Sequence, residues 1–436
     1  MELQVKRLII ALLTITIMLA ATFIYVKLFG QHSFGPLSIL SVSILGCLSL
    51  LLFITLLVYK TRRRETLAKI WLLIISTSVT YVIVDLVSSY FLIQRLSPLI
   101  ISDQYRHHKL APDTRSEIKT SEYRYIQTVN KLGLRGRDIQ LMKALDHYRI
   151  LMLGDSFTMG KGVDDDKTFS AILEKSLNST NNTVNNKTIE VLNAGVDSYS
   201  PILSFFQLTK DLRPLKPDLV VLNLDMSDLI QDTAYRKNAT YGAEGEIIGV
   251  DGREREWLTK KVRHWIDRNL YMTRLILFYF EKTFTRQTEI TIEKVVDRIN
   301  PELLNHTLAE DTADRKEQWQ NIFDSIWKIK RYCDSNGIKF LLTVYPWGHQ
   351  VNDKEWIPGR FAVIPKGAVV SDKSIDTIHE FSINNNIELL NLFSAFRSYK
   401  GTSPLYFSYD MHLTPTGHKV LAQELQRYIR ATYFKE

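Results

Sequence analysis

Cysteine is almost missing from this chain, with two in 436 residues, at positions 47 and 333. That excludes a disulfide-stapled scaffold, and two thiolates cannot make a metal cluster on their own. Low-complexity tracts, collagen-like bias and internal repeats are also missing. At 23% charged and 45% hydrophobic residues, the chain is too apolar to remain disordered. What it lacks next is an extended basic surface. The net charge of +8 is unevenly placed: residues 1–100 carry nine Lys or Arg and three acids, leaving a net of only +2 for the other 336 residues. A nearly balanced remainder offers no track for a phosphate backbone, so nucleic acid is excluded as a partner.

What the N-terminal part does have is long apolar runs, at 8–28, 36–59 and 67–93. Each is long enough to cross a hydrocarbon core of about 30 Å as a helix, and three in succession are not a signal peptide. Lys60, Arg62, Arg63 and Arg64 lie between the second and third runs. The positive-inside rule therefore puts that loop in the cytoplasm and everything after about residue 97 outside. The expectation is a three-helix anchor over 1–97 in a bacterial inner (plasma) membrane, with a periplasmic or extracellular domain behind it. Asp85 falls inside the third run, where a carboxylate is expensive. It is expected to face neighbouring helices, protonated or hydrogen-bonded.

Residues 98–145 are polar, without strong period, and read as a connector. From 146 onwards short apolar runs (149–153, 188–192, 217–224, 338–344, 387–390) alternate with amphipathic stretches (168–177, 201–212, 314–335, 372–386, 416–432). Continuous apolar strands separated by helices predict an α/β, three-layer sandwich with a parallel five-stranded sheet buried on both faces. A stretch at about 231–311 interrupts it. With Trp257, Trp265 and the apolar run 270–280, this insertion is expected to form a helical cap near the active site.

Ligands of such sheets sit beyond the carboxyl ends of the strands. GDSFTMG at 154–160 follows the first strand and places Ser156 at a strand-to-helix turn, where a serine either caps the helix or exposes its hydroxyl as a nucleophile. NAGV at 193–196 brings Gly195, either a turn glycine or a residue whose amide can approach a substrate. DMSD at 225–228 adds Ser227 and Asp228. DMHLTPTGH at 410–418 sets Asp410 two residues before His412, an acid able to orient an imidazole as a general base. The rival use of Asp410, His412 and His418 is a metal site. It lacks a further strong ligand nearby, and His418 is expected to pack at the surface of the last helix.

In this order the motifs resemble the SGNH (GDSL-type) hydrolase family over about residues 125–435, including the lead-in NKLGLRG at 130–136. The resemblance implies Ser156 as nucleophile, His412 as base and Asp410 as its acid, with no cofactor and no metal. Ser156 and Gly195 are implied as oxyanion donors. The family's block III Asn-Asp is Ser227-Asp228 here, so a hydroxyl stands where an amide side chain is expected to donate. Asp155, Asp228 and Trp347 are placed at the rim for substrate binding. The implied activity is an esterase removing acyl, most simply acetyl, groups from an extracytoplasmic carbohydrate or lipid-linked glycan. The alternatives are an O-acyltransferase supplied by a membrane acyltransferase partner and a catalytically silent polysaccharide-assembly subunit.

Overall fold

The computed structural model of the protein describes residues 64–92, 99–179, 187–252, 265–266, 269–276, 301–309, 315–364 and 367–434, with side chains in the first helix at Leu72 and from 75 to 90. The chain divides into two compact units, Met1–Ile93 with Glu256–Phe280, and Gln94–Arg255 with Glu281–Glu436.

The first two apolar runs, and Cys47 within the second, lie outside the described residues. The third is a single helix, Arg64–Leu92. No helix among the described residues is long and apolar enough to cross a membrane. Asp85 is buried, and its described partners lie in the apolar run 270–280. Its carboxylate accepts from the amide of Met272 at 2.7 Å and from the amide and hydroxyl of Thr273, while Ser89 accepts the amide of Tyr271 at 2.8 Å. These donors belong to the 231–311 insertion, whose stretch 256–280 falls in the same unit as the helix. The insertion begins in the helix Asp228–Arg236, continues as an antiparallel ribbon and is helical again at 271–276, where it is tied to Asp85; most of the rest lies outside the described residues.

In the second unit, β1 (Ile100–Ser102) pairs with β2 (His108–Leu110), and β3 (Thr114–Lys119) with β4 (Arg124–Val129), both antiparallel. The main sheet consists of β5 (His147–Leu153), β6 (Thr188–Asn193), β7 (Leu219–Leu224), β10 (Lys339–Val344) and β11 (Glu388–Asn391), with β8 (Ala239–Tyr241) and β9 (Ile247–Val250) forming the ribbon in the insertion. Its order is β11-β10-β7-β5-β6, with every neighbouring pair parallel. This is the predicted five-stranded parallel sheet.

Period-two alternation sends its side chains to two cores. Ile150, Met152, Leu219, Val221 and Leu341 pack on one face with Phe169, Leu173, Leu421 and Leu425 of the helices Phe169–Asn178 and Pro415–Tyr433. Leu151, Leu153, Val220, Leu222 and Leu342 pack on the other with Ile322, Ile326 and Ile329 of the helix Lys316–Ser335. Burial on both faces is why the strands read as unbroken apolar runs. The run 201–212 is shorter as an α-helix than expected: it becomes a π-turn from Gln207 to Asp211 after Pro201–Phe206.

The expected connector is part of this fold. Gln140 and Leu141 give their carbonyls to Arg149, a fully buried arginine in the middle of β5, which also donates to the carbonyl of Leu215 and, at 2.6 Å, to Glu190 on β6. A charge inside a sheet is tolerated when it is paired and hydrogen-bonded, and here three carbonyls and one carboxylate take four of the five guanidinium N–H groups. Arg149→Ala should lower the unfolding free energy of the full-length protein by about 3–5 kcal/mol, because Glu190 loses its closest cation. Chemical denaturation should show that loss, and the double change with Glu190→Ala should recover part of it.

Candidate active site

The loops carrying the expected site residues all leave the sheet at its carboxyl end. After β5 the chain turns at Gly154 (φ +149°), where a Cβ would lie 2.3 Å from the hydroxyl of Thr158. Only glycine fits so sharp a turn. Ser156 then heads the short helix Ser156–Met159, whose cap is Asp155, accepting the amide of Phe157 at 2.9 Å. The serine is thus not the cap. It stands one residue inside, with its hydroxyl free to meet another chain segment.

That segment is the loop before the last helix. His412 Nε2 lies 2.7 Å from Ser156 Oγ, and its Nδ1 is hydrogen-bonded to Asp410 Oδ1. Phe157 packs against the imidazole with ring centroids 4.7 Å apart, and Ser156 and His412 are both buried. Burial alone would raise the Asp410 carboxyl. The charge and hydrogen bond of His412, the hydroxyl of Tyr123 and the charge of Lys161 instead hold it well below the usual carboxylate range. A permanently ionised acid behind the imidazole is what a serine–histidine relay requires.

The oxyanion donors are less complete. Gly195 is indispensable for packing, since a Cβ there would sit 2.2 Å from the amide nitrogen of Met159. Its N–H, expected to face a substrate, donates to Asn193 Oδ1 at 3.0 Å. Ser227 is buried, and both its amide and its side chain turn to Asp225. The reason is local: each residue closes a turn with an Asn or Asp two positions earlier, satisfying its own donors.

Three rim assignments are corrected. Asp155, Asp228 and Trp347 are at most 4% exposed. Asp155 caps the nucleophile helix and accepts from the hydroxyl of Tyr345 at 3.2 Å, while Asp228 accepts the amide of Asp225 at 2.9 Å. Burial, reinforced by mutual repulsion with Asp225, pushes the carboxyls of Asp155 and Asp228 well above their ordinary range. Trp347 packs between Phe157 and Trp356, a core contact that leaves no face for stacking a sugar.

His418 is corrected as well. It is fully buried, accepts the amide of Phe169 on Nδ1 at 3.2 Å and stacks on that ring. Among the described residues no group of three His, Cys, Asp or Glu side chains is placed to hold a metal. The site residues that sequence reasoning missed are Glu122 and Tyr123, at the turn of the β3–β4 hairpin. Tyr123 donates to Asp410 Oδ2 at 2.6 Å, and Glu122 accepts the amides of Tyr409 and Asp410 at 2.8 and 2.7 Å. No local motif marks them: 124–129 alternates in burial, with Gln127 inside, but not in its apolar residues.

No family model matches the chain, and no curated protein does. Solved structures similar to it include a mutant of Axe2, an acetyl-xylooligosaccharide esterase from Geobacillus Stearmophilus, at 12% identity over 68% of this chain and 100% of that one, TM-score 0.35. Others are a lipase/acylhydrolase from Enterococcus faecalis (14% identity, 65% and 96% covered, TM-score 0.34) and the acetyl xylan esterase AlAXEase (12%, 64% and 99%, TM-score 0.33).

Burial pushes His418 down to about 3, with the charges of Arg135 and His412 adding to it. The unfolded chain takes up this proton near pH 6.5 and the folded chain only near 3, so stability is lost as the pH is lowered from about 6.5 to 3. His418→Gln, which keeps an acceptor for the Phe169 amide, should flatten the fall between pH 7 and 5 by on the order of 1–2 kcal/mol. Urea unfolding midpoints of both proteins at the two pH values measure it.

Proposed function

We propose that this protein is a serine ester hydrolase of the SGNH type, anchored to a membrane and removing acyl groups, acetyl in the simplest case, from an extracytoplasmic carbohydrate or lipid-linked glycan. The observation that carries the reading is the relay Ser156–His412–Asp410, held at hydrogen-bond distance by two loops 256 residues apart in sequence. His412 takes the proton of Ser156 as its oxygen attacks the ester carbonyl. Asp410 stabilises the imidazolium, which then protonates the departing sugar oxygen. Water, activated by the same histidine, releases the acid.

The tetrahedral oxyanion is received by the amide of Ser156. The amide of Gly195 or the hydroxyl of Ser227 joins it only after giving up its bond to Asn193 or Asp225. Losing one oxyanion donor costs roughly 2.7–4 kcal/mol in a well-studied protease, so slow turnover is expected. The same observation favours the second reading, a silent subunit of a polysaccharide machine in which the relay survives and the oxyanion site does not. The N-terminal apolar runs support a lipid bilayer as a partner and a substrate outside the cytoplasm. An acyltransferase with a membrane acyl donor is the same chemistry with a sugar hydroxyl in place of water.

Full-length protein in detergent should hydrolyse an activated acetyl ester, and Ser156→Ala or His412→Ala should each reduce kcat by on the order of 10³-fold or more. Equal, residual rates in all three proteins would favour the silent subunit. Adding a sugar acceptor separates the enzymes, since transfer yields an acylated sugar and hydrolysis does not.

A further inference from the structure

The β3–β4 hairpin meets the catalytic loops at two places. Its turn is rigid: Thr120 Oγ1 accepts the amides of Glu122 and Tyr123, both at 3.1 Å, and the Thr120 amide donates to the Tyr123 carbonyl at 2.9 Å. From this turn, Tyr123 lays its ring on Phe407, centroids 4.7 Å apart, and aims its hydroxyl at Asp410. The strand behind it is bound to the loop that follows the nucleophile: the Ile126 amide donates to Asp164 and the Thr128 amide to Asp165, both at 3.0 Å. Arg135, just beyond β4, completes that attachment through Asp165 at 2.9 Å and the carbonyls of Met159, Gly160 and Val163.

The Asp410 carboxylate has two oxygens with different duties. Oδ1 faces the imidazole and Oδ2 faces Tyr123. Oδ1 also accepts the His412 amide at 3.1 Å, so that oxygen is anchored within the catalytic loop itself, and the hairpin supplies the second anchor. Held at both oxygens, the carboxylate keeps its plane against the imidazole. Glu122 does the corresponding work on the backbone, since its two carboxylate oxygens take the amides of Tyr409 and Asp410.

We propose that Tyr123 and Glu122 are positioning residues of the ester-cleaving relay, through which the segment preceding the hydrolase core sets the Asp410 carboxylate against His412. The inference rests on the esterase reading for its kinetic consequences but not for its geometry. It also makes the stretch 114–129 part of the active site rather than a tether.

The test uses full-length protein carrying Tyr123→Phe, which keeps the ring on Phe407 and removes only the hydroxyl. Expected is a fall in kcat of about tenfold with KM little changed, the loss of one charge-assisted hydrogen bond made through Asp410. Added to Asp410→Asn, the same change should cost nothing further, because it acts only through that residue. Glu122→Gln, which retains an acceptor oxygen but meets the two amides with an NH2 group as well, should also lower kcat while KM holds. An activity-independent readout is the proton resonance of His412 Nδ1–H in 15N-histidine-labelled protein, expected to move or broaden in Tyr123→Phe. An unchanged resonance with unchanged kcat, or equal losses from Tyr123→Phe in the wild-type and Asp410→Asn backgrounds, would overturn the proposal. A wild type without ester turnover would count against the esterase reading alone, and the resonance would then decide the clamp.

Discussion

The hydrogen bond between Ser156 Oγ and His412 Nε2, 2.7 Å long, is the contact on which the functional account depends. Nothing local creates it. It exists because β5 and the loop before the last helix end at the same edge of a parallel sheet, and because a parallel sheet collects its loops there. Steric constraints on the nucleophile loop leave little freedom in the arrangement. Gly154 has no room for a Cβ beside Thr158, and Gly195 none beside the backbone of Met159. The serine is thus fixed from below by backbone contacts, and the histidine is fixed from behind by Asp410.

Much of this could be read from sequence because it follows from short-range rules. The strands were legible as apolar runs, since β5, β7 and β10 are buried on both faces. The relay was legible because GDS at a strand end and DMH just before the last helix each pack their chemistry into a few residues. What escaped was whatever depends on partners distant in sequence. TRSEIK and RYIQTV, the strands of the β3–β4 hairpin, have too few apolar residues to stand out from a polar connector, and the role of Glu122 and Tyr123 appears only once Asp410 arrives from 287 residues away. Trp347 and His418 were misplaced for the opposite reason. A residue beside a motif looks available, but in this fold both side chains fill the core behind Phe157 and Phe169.

The tension in the site lies between a well-made relay and poorly presented oxyanion donors. Asp155, Asp225 and Asp228 form a buried acidic group next to the nucleophile turn, and burial pushes all three carboxyls upward. Asp225 draws Ser227 toward itself, as Asn193 draws Gly195. Either donor is free to serve an oxyanion only once its internal hydrogen bond, 3.0 Å long for the Gly195 amide, is given up.

Covalent trapping of the full-length protein with a fluorophosphonate probe, mapped by peptide mass spectrometry, tests the central claim most directly. The account predicts a single phosphonylated residue, Ser156, and loss of labelling when His412 is replaced by alanine. Absence of label at Ser156, or labelling that persists undiminished without the imidazole, would contradict it.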